Sequence, residues 1–226
     1  VGRIGRRVAA VGAVSVLLGA GVWFLWLPNY RPPLKPGESY GIDVSHHQGS
    51  IDWTAVAADG ISFAYIKASE GSDFVDDRFE ENWDGAGRAG LRRGAYHFFT
   101  LCTPGIDQAR HFLSVVTLDP NDLPPAVDLE IAGNCSERPA ARSVRLELAA
   151  FVDTVERAAR QPMLLYLGDD FEDRYGASGW LDRPLWLRRF LRRPSGQGRT
   201  VWQVMGYARI DGIGGRVDLD VMKSTS

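Results

Sequence analysis

The chain has 226 residues, 45% of them hydrophobic and 24% charged, enough for one folded domain of moderate size plus an appendage. The net charge of −2 is uneven: the first 38 residues hold Arg3, Arg6, Arg7, Arg31 and Lys35 against Glu38 alone, leaving 21 basic and 27 acidic residues in the rest. An acidic body of this kind excludes a basic surface built for nucleic acid.

Val8–Leu27 is an apolar run of 20 residues with Ser15 its only polar side chain. As a helix it would span ~30 Å, the thickness of a bilayer's hydrocarbon core. Arg3, Arg6 and Arg7 precede it, and Trp23 and Trp26 lie near its far end, which places the N-terminus inside. A cleaved signal peptide and a buried core helix are the competing readings. The length of the run and the absence of a small-residue cleavage site favour an uncleaved anchor. Pro28–Gly37 holds four prolines and reads as a stiff, extended tether. The expected organisation is therefore 1–27 as cytoplasmic tip and transmembrane anchor, 28–39 as Pro-rich linker and 40–226 as catalytic domain. That domain would be monomeric and extracytoplasmic, periplasmic or at the cell surface.

From Tyr40 onward strand-like and helix-like segments alternate. Strands are expected at Tyr40–Val44, Ser62–Ala68, Gly94–Phe99, Pro125–Ile131 and Met163–Leu167. Helical spacing recurs at Phe79, Trp83, Ala86 and Gly90, at Ile106, Ala109, Phe112, Leu113 and Val116, and at Val144, Leu148, Phe151, Val152 and Val155. The later apolar stretches Leu185–Leu187, Val201–Val204 and Val217–Val221 look like strands with little helix between them. Four or five βα units followed by mostly strands predict an α/β fold, a flattened, irregular β/α (TIM-like) barrel preceded by the single transmembrane helix. Cys102 and Cys135 each follow a predicted strand, the third and the fourth. Those loops are neighbours on one rim of a parallel barrel, so a disulfide is the favoured reading over two buried free thiols.

Chemistry concentrates at the strand ends. Alternation along a strand puts Asp128 and Glu130 on one face. Two crowded acids can split their pKa values into a proton donor and an anion, the equipment of glycosidic bond cleavage. Asp43 ends the first strand and Asp218 lies in the last, and in a barrel all four carboxylates would meet at one mouth. His46-His47 beside Asp43 gives only a weak metal signal, because no third ligand stands at a recognisable spacing, and two Cys without CxxC spacing make a weak zinc site. No metal or other cofactor is expected.

Several segments together resemble family 25 glycoside hydrolases, the Chalaropsis-type lysozymes. These are Tyr40-Gly41-Ile42-Asp43-Val44-Ser45 with Gln48-Gly49 and Ile51-Asp52-Trp53, then Lys67-Ala68-Ser69-Glu70-Gly71, Gly94-Ala95-Tyr96-His97-Phe98, Asp128-Leu129-Glu130 and Val217-Asp218-Leu219-Asp220. The resemblance covers residues 40 to about 223 in order. It implies a muramidase that cuts the β-1,4 bond from N-acetylmuramic acid to N-acetylglucosamine in peptidoglycan. Glu130 would be the general acid/base, its pKa raised by crowded acidic neighbours. Asp128 would orient the substrate's 2-acetamido group, which could itself attack the anomeric carbon; inversion with Asp43 or Asp218 as base is the rival mechanism. Lys67, Glu70, Tyr96, His97, Tyr166, Trp186 and Gln203 are candidate substrate contacts, with an ion pair, core packing or a buried hydrogen-bonded histidine as the structural readings. The chain departs from the family pattern at Val204, where an aromatic is usual, at Arg188 and Arg189, where small residues are usual, and at Asp220, which replaces a common Asn. Arg188, Arg189, Arg192 and Arg193 would bind acidic peptide stems or form a solvated basic loop, the second being the favoured reading. A non-catalytic wall-binding module, or a hydrolase of another N-acetylated glycan such as chitin, are the alternative functions.

Overall fold

The computed structural model describes residues 19, 21–195 and 199–223. Nine strands, β1 (Glu38–Val44), β2 (Ile61–Glu70), β3 (Phe74–Val75), β4 (Arg92–Phe98), β5 (Ala126–Leu129), β6 (Leu164–Leu167), β7 (Leu185–Arg188), β8 (Arg199–Ala208) and β9 (Val217–Lys223), form one sheet. Five α-helices lie wholly within the described residues: α1 (Trp53–Ala58), α2 (Phe79–Arg88), α3 (Gly105–Val115), α4 (Ala141–Ala159) and α5 (Asp169–Tyr175). The strand order β1-β9-β8-β7-β6-β5-β4-β2 is closed by a parallel β1–β2 pairing, and β3 hangs on β2 outside the ring. All ring pairings are parallel except β8–β9 and β9–β1.

The expected β/α barrel with a membrane span is thus corrected on two counts. The barrel is eight-stranded with a mixed sheet. Its last strand needs no crossover helix, because an antiparallel neighbour is reached by a loop. The second correction concerns the membrane. Among the described residues no helix is long and apolar enough to cross one, so the span, the membrane partner and the anchored location are not supported. Most of Val8–Leu27 lies outside the described residues. Its end is a π-helical turn, Val22–Trp26, leading into a 3-10 turn, Leu27–Asn29, with Leu27 and Pro28 buried. The Arg209 amide donates to the Pro28 carbonyl at 2.7 Å, which ties this turn to the loop after β8. Pro28–Gly37 runs along the domain: the Tyr40 hydroxyl donates to the Pro32 carbonyl, and Arg31 donates to the Arg209 carbonyl and pairs with Asp59.

Strand alternation divides the apolar residues into two cores. Phe63, Tyr65, Ala126, Leu164, Tyr166, Trp186, Val201 and Met222 fill the barrel's interior. The residues that alternate with them, such as Ala64, Ile66, Val127, Leu129 and Leu165, join the helices in a larger outer core with Phe112, Leu148, Phe151 and Val152. Gly41 shows how tightly the interior is filled: a Cβ there would stand 2.2 Å from the Phe63 ring. The Cys102–Cys135 disulfide forms, with a Cα–Cα distance of 6.2 Å, and links the loops that follow the paired strands β4 and β5.

Candidate active site

At one end of the barrel the strand termini surround a cavity of about 220 Å³. Asp43 reaches it from the end of β1, Asp128 from β5, Glu130 from just beyond β5, and Asp218 from the start of β9. Because β9 is antiparallel, its first residues stand where the other strands end, and Asp218 pairs in register with Asp43. Ala126 and Asp128 face inward while Val127 and Leu129 are buried on the outer side, so the two acids share a face as alternation requires. Tyr96, Tyr166, Trp186 and Gln203 complete the predicted lining.

A hydrogen-bonded chain fixes one wall. The Tyr166 hydroxyl donates to Gln203 Oε1 at 3.1 Å, and Gln203 Nε2 donates to Asp43 Oδ2 at 2.9 Å. Below it, Trp186 Nε1 donates to Asp220 Oδ1 at 2.8 Å. Asp220 is fully buried and also shares a side-chain hydrogen bond with Asp43, while among the described residues Asp128 Oδ1 lacks a conventional hydrogen-bond partner.

Burial and like charge together govern the acids. Burial is the largest cause throughout. It pushes Asp43 up to about 6 against the opposing hydrogen bonds from Gln203 and Asp220. Asp218 is pushed up to about 8, with the Asp43 charge adding to its burial. Asp128 rises well above the carboxylate range, with Glu130 and Asp43 adding to its burial. Asp220 rises well above it too, with Asp43 and Asp218 adding to its burial. Glu130 is raised as expected, but chiefly by burial, while Tyr166 and Arg188 oppose the rise.

Three candidate contacts stand apart from this cavity. Lys67 and Glu70 form an ion pair at 2.7 Å, and Lys67 also lies over the Phe74 and Phe98 rings. His97 points into the outer core, between Ser69 Oγ at 2.9 Å and Gln108 Oε1 at 3.1 Å, stacked on Phe151. Burial there lowers its pKa to about 3. Conversely Ser45, His47, Gln48 and Arg188 line the cavity without having been singled out for it. Position one to five residues past the β1 acid is the signal that would have found the first three. His46, Asp76 and Asp77 bring ligand-type atoms within 4.8 Å of one another. Asp76, however, already accepts from the His46 and Arg78 amides and lies 2.9 Å from His46 Nδ1, so its oxygens are committed to holding the β1 loop.

Comparison with known proteins agrees with this geometry. The family model described as glycosyl hydrolases family 25 matches residues 42–213. The Escherichia coli (strain K12) protein YegX is 36% identical over 194 residues, covering 82% of this chain and 70% of that protein. Lysozyme M1 of Streptomyces globisporus is 44% identical over 119 residues, covering 50% of this chain and 38% of that protein. A solved structure of a family 25 glycosyl hydrolase from Bacillus anthracis superposes with a TM-score of 0.78 at 31% identity, covering 88% of this chain and 94% of that one.

Proposed function

The chain belongs to family 25 of the glycosyl hydrolases, and from that premise we propose that it is a muramidase of the lysozyme type. It hydrolyses the β-1,4 bonds between N-acetylmuramic acid and N-acetylglucosamine in peptidoglycan. The observation that carries this reading is the meeting of Asp128 and Glu130 with Asp43 and Asp218 in one cavity.

Glu130 is the general acid. Its raised pKa keeps a proton available above the usual carboxylate range, and the leaving glycosidic oxygen takes that proton. The 2-acetamido oxygen of the muramyl unit attacks its own anomeric carbon as the glycosidic bond breaks. Asp128 orients that group: a buried carboxyl oxygen without another conventional partner is suited to accept the amide N–H. Glu130, now ionised, then takes a proton from water, and the resulting hydroxide opens the ring formed by the acetamido group. One water is consumed and a new reducing N-acetylmuramic acid end appears. The Gln203 amide holds Asp43, while Tyr96 and Trp186 offer walls against which a sugar can rest.

The test is digestion of purified peptidoglycan with identification of the product ends by mass spectrometry. Reducing N-acetylmuramic acid ends are expected from the wild type, and a loss of about 10²–10⁴-fold from Glu130→Gln. New ends of another kind, or undiminished cutting by the variant, would refute the assignment.

A further inference from the structure

A second groove, of about 410 Å³, lies beside the catalytic cavity and takes no part in the chemistry above. Asp169, Arg188, Phe190, Gly206 and Tyr207 are among its walls, and Arg188 belongs to both spaces. Gly206 leaves the partition thin: a Cβ there would stand 3.1 Å from Asp218 Oδ1.

Two features of this groove are unexplained by folding. Phe190 is 50% exposed, its ring centroid 5.7 Å from that of Tyr207, and Tyr207 in turn lies 5.8 Å from Trp23, itself 55% exposed. Tyr207 itself is half-buried, but a row of rings exposed at both ends is unfavourable in water unless something covers it. Arg188 is the second feature. Its side chain is 62% exposed, and its ion-pair contact with Glu130 is long, at 3.9 Å. The adjacent Arg189 is by contrast held by Asp169. Among the described residues Arg188 is also the one lysine or arginine lining the cavity that holds Asp43, Asp128, Glu130 and Asp218. An acidic substrate entering that cavity is repelled by its carboxylates, and a guanidinium at the junction offsets the repulsion and matches a carboxylate's geometry.

We propose that this groove is an outer saccharide subsite, where a sugar ring of the bound strand lies on the Phe190–Tyr207 ledge and Arg188 takes a carboxylate carried by the same strand. The proposal rests on the muramidase reading. A glycan strand is the occupant because the groove shares Arg188 with the cavity in which that strand is cut and lies just across Gly206 from it, and a strand cut internally must leave the cavity on both sides. A sugar also suits a wall that is aromatic on one side and bordered by the Arg189–Asp169 pair on the other.

Initial rates of the wild type, Phe190→Ala and Arg188→Ala would be compared on three substrates: long peptidoglycan strands, the same strands with their carboxylates converted to amides, and the shortest oligosaccharide that is cut. Phe190→Ala is expected to raise the ratio of KM on long strands to KM on the oligosaccharide by about two- to tenfold. Arg188→Ala is expected to lower the preference for native over amidated strands by about tenfold. Unchanged ratios, with both variants shown folded by their melting curves, would overturn the subsite. So would an Arg188→Ala that changes kcat and the basic limb of the pH profile alike on native and amidated strands, since the arginine would then act only through Glu130. A wild type that cuts none of the three refutes the muramidase reading itself, and the subsite with it.

Discussion

Glu130 and Asp128 sit two residues apart, yet their surroundings suit them to different tasks. Glu130 stands at the strand's end, 22% exposed, with Arg188 and Tyr166 partly stabilising its charge. Asp128 lies deeper, in the centre of the acid cluster. Activity that depends on protonated Glu130 should persist above the usual glutamate range and fall as pH rises through its raised pKa. A pH profile of kcat with no such basic limb would contradict the assignment. Asp220 offers a second prediction. Its folded pKa is raised, so the folded state gains from its neutral form below the unfolded carboxylate range and loses that gain as pH rises. Asp220→Asn should therefore melt close to the wild type at pH 4 and about 2–4 °C higher at pH 8. It should also retain activity, because the amide keeps an uncharged hydrogen-bonding group beside Asp43 and Trp186. The four mouth acids were legible in the sequence because strand ends in a barrel converge. Arg188's place in the cavity was not, since a run of arginines reads equally as a solvated loop, and which one turns inward depends on strand register. For His97 the reading as a buried hydrogen-bonded residue is the one the structure shows: it is one residue from Tyr96, and a one-residue shift along a strand changes its face.

At the scale of elements, the helices press closely on one another. The first residue of α3, Gly105, receives the Glu147 side chain on its amide at 2.7 Å, and a Cβ there would come within 1.8 Å of the Glu147 carbonyl oxygen. Gly105→Ala should force α3 and α4 apart and cost about 1–3 kcal/mol by chemical denaturation. The disulfide closes a loop across a sequence separation of 33 residues. Its removal by Cys102→Ser with Cys135→Ser should cost roughly 3–4 kcal/mol in the chain-entropy model, without changing the pH profile. Strand and helix positions through β6 were largely legible, because periods of 2 and 3.6 are written into the apolar residues. The direction of β9 was not: Val217–Val221 is the same apolar stretch whether it runs with its neighbours or against them. Val8–Leu27 misled for the opposite reason. Hydropathy reports what a segment could bury, not what buries it: Trp23, Phe24 and Trp26 are exposed, Leu27 is buried against the domain, and among the described residues no helix is long and apolar enough to cross a membrane.

For the molecule as a whole, the acid-lined cavity sets catalysis against stability. Asp43, Asp218, Asp128 and Asp220 are all more easily protonated in the folded chain than in the unfolded one. The stabilisation this gives is complete below about pH 4, and declines as pH rises through about 6 for Asp43 and about 8 for Asp218. Thermal stability should accordingly fall between pH 5 and 9, and Asp218→Asn should flatten that slope. A fall equally steep in the variant would separate the slope from this cluster.

The antiparallel strand β9 has one further consequence. It supplies Asp218 and is the element that joins β8 to β1, so it closes the ring and completes the cavity in one step. While the chain is being synthesised, β1 to β8 emerge before β9, and without β9 the ring is open and the cavity lacks one wall. A chain cut short before β9 is therefore expected to release no new ends from peptidoglycan, although it keeps Asp43, Asp128 and Glu130.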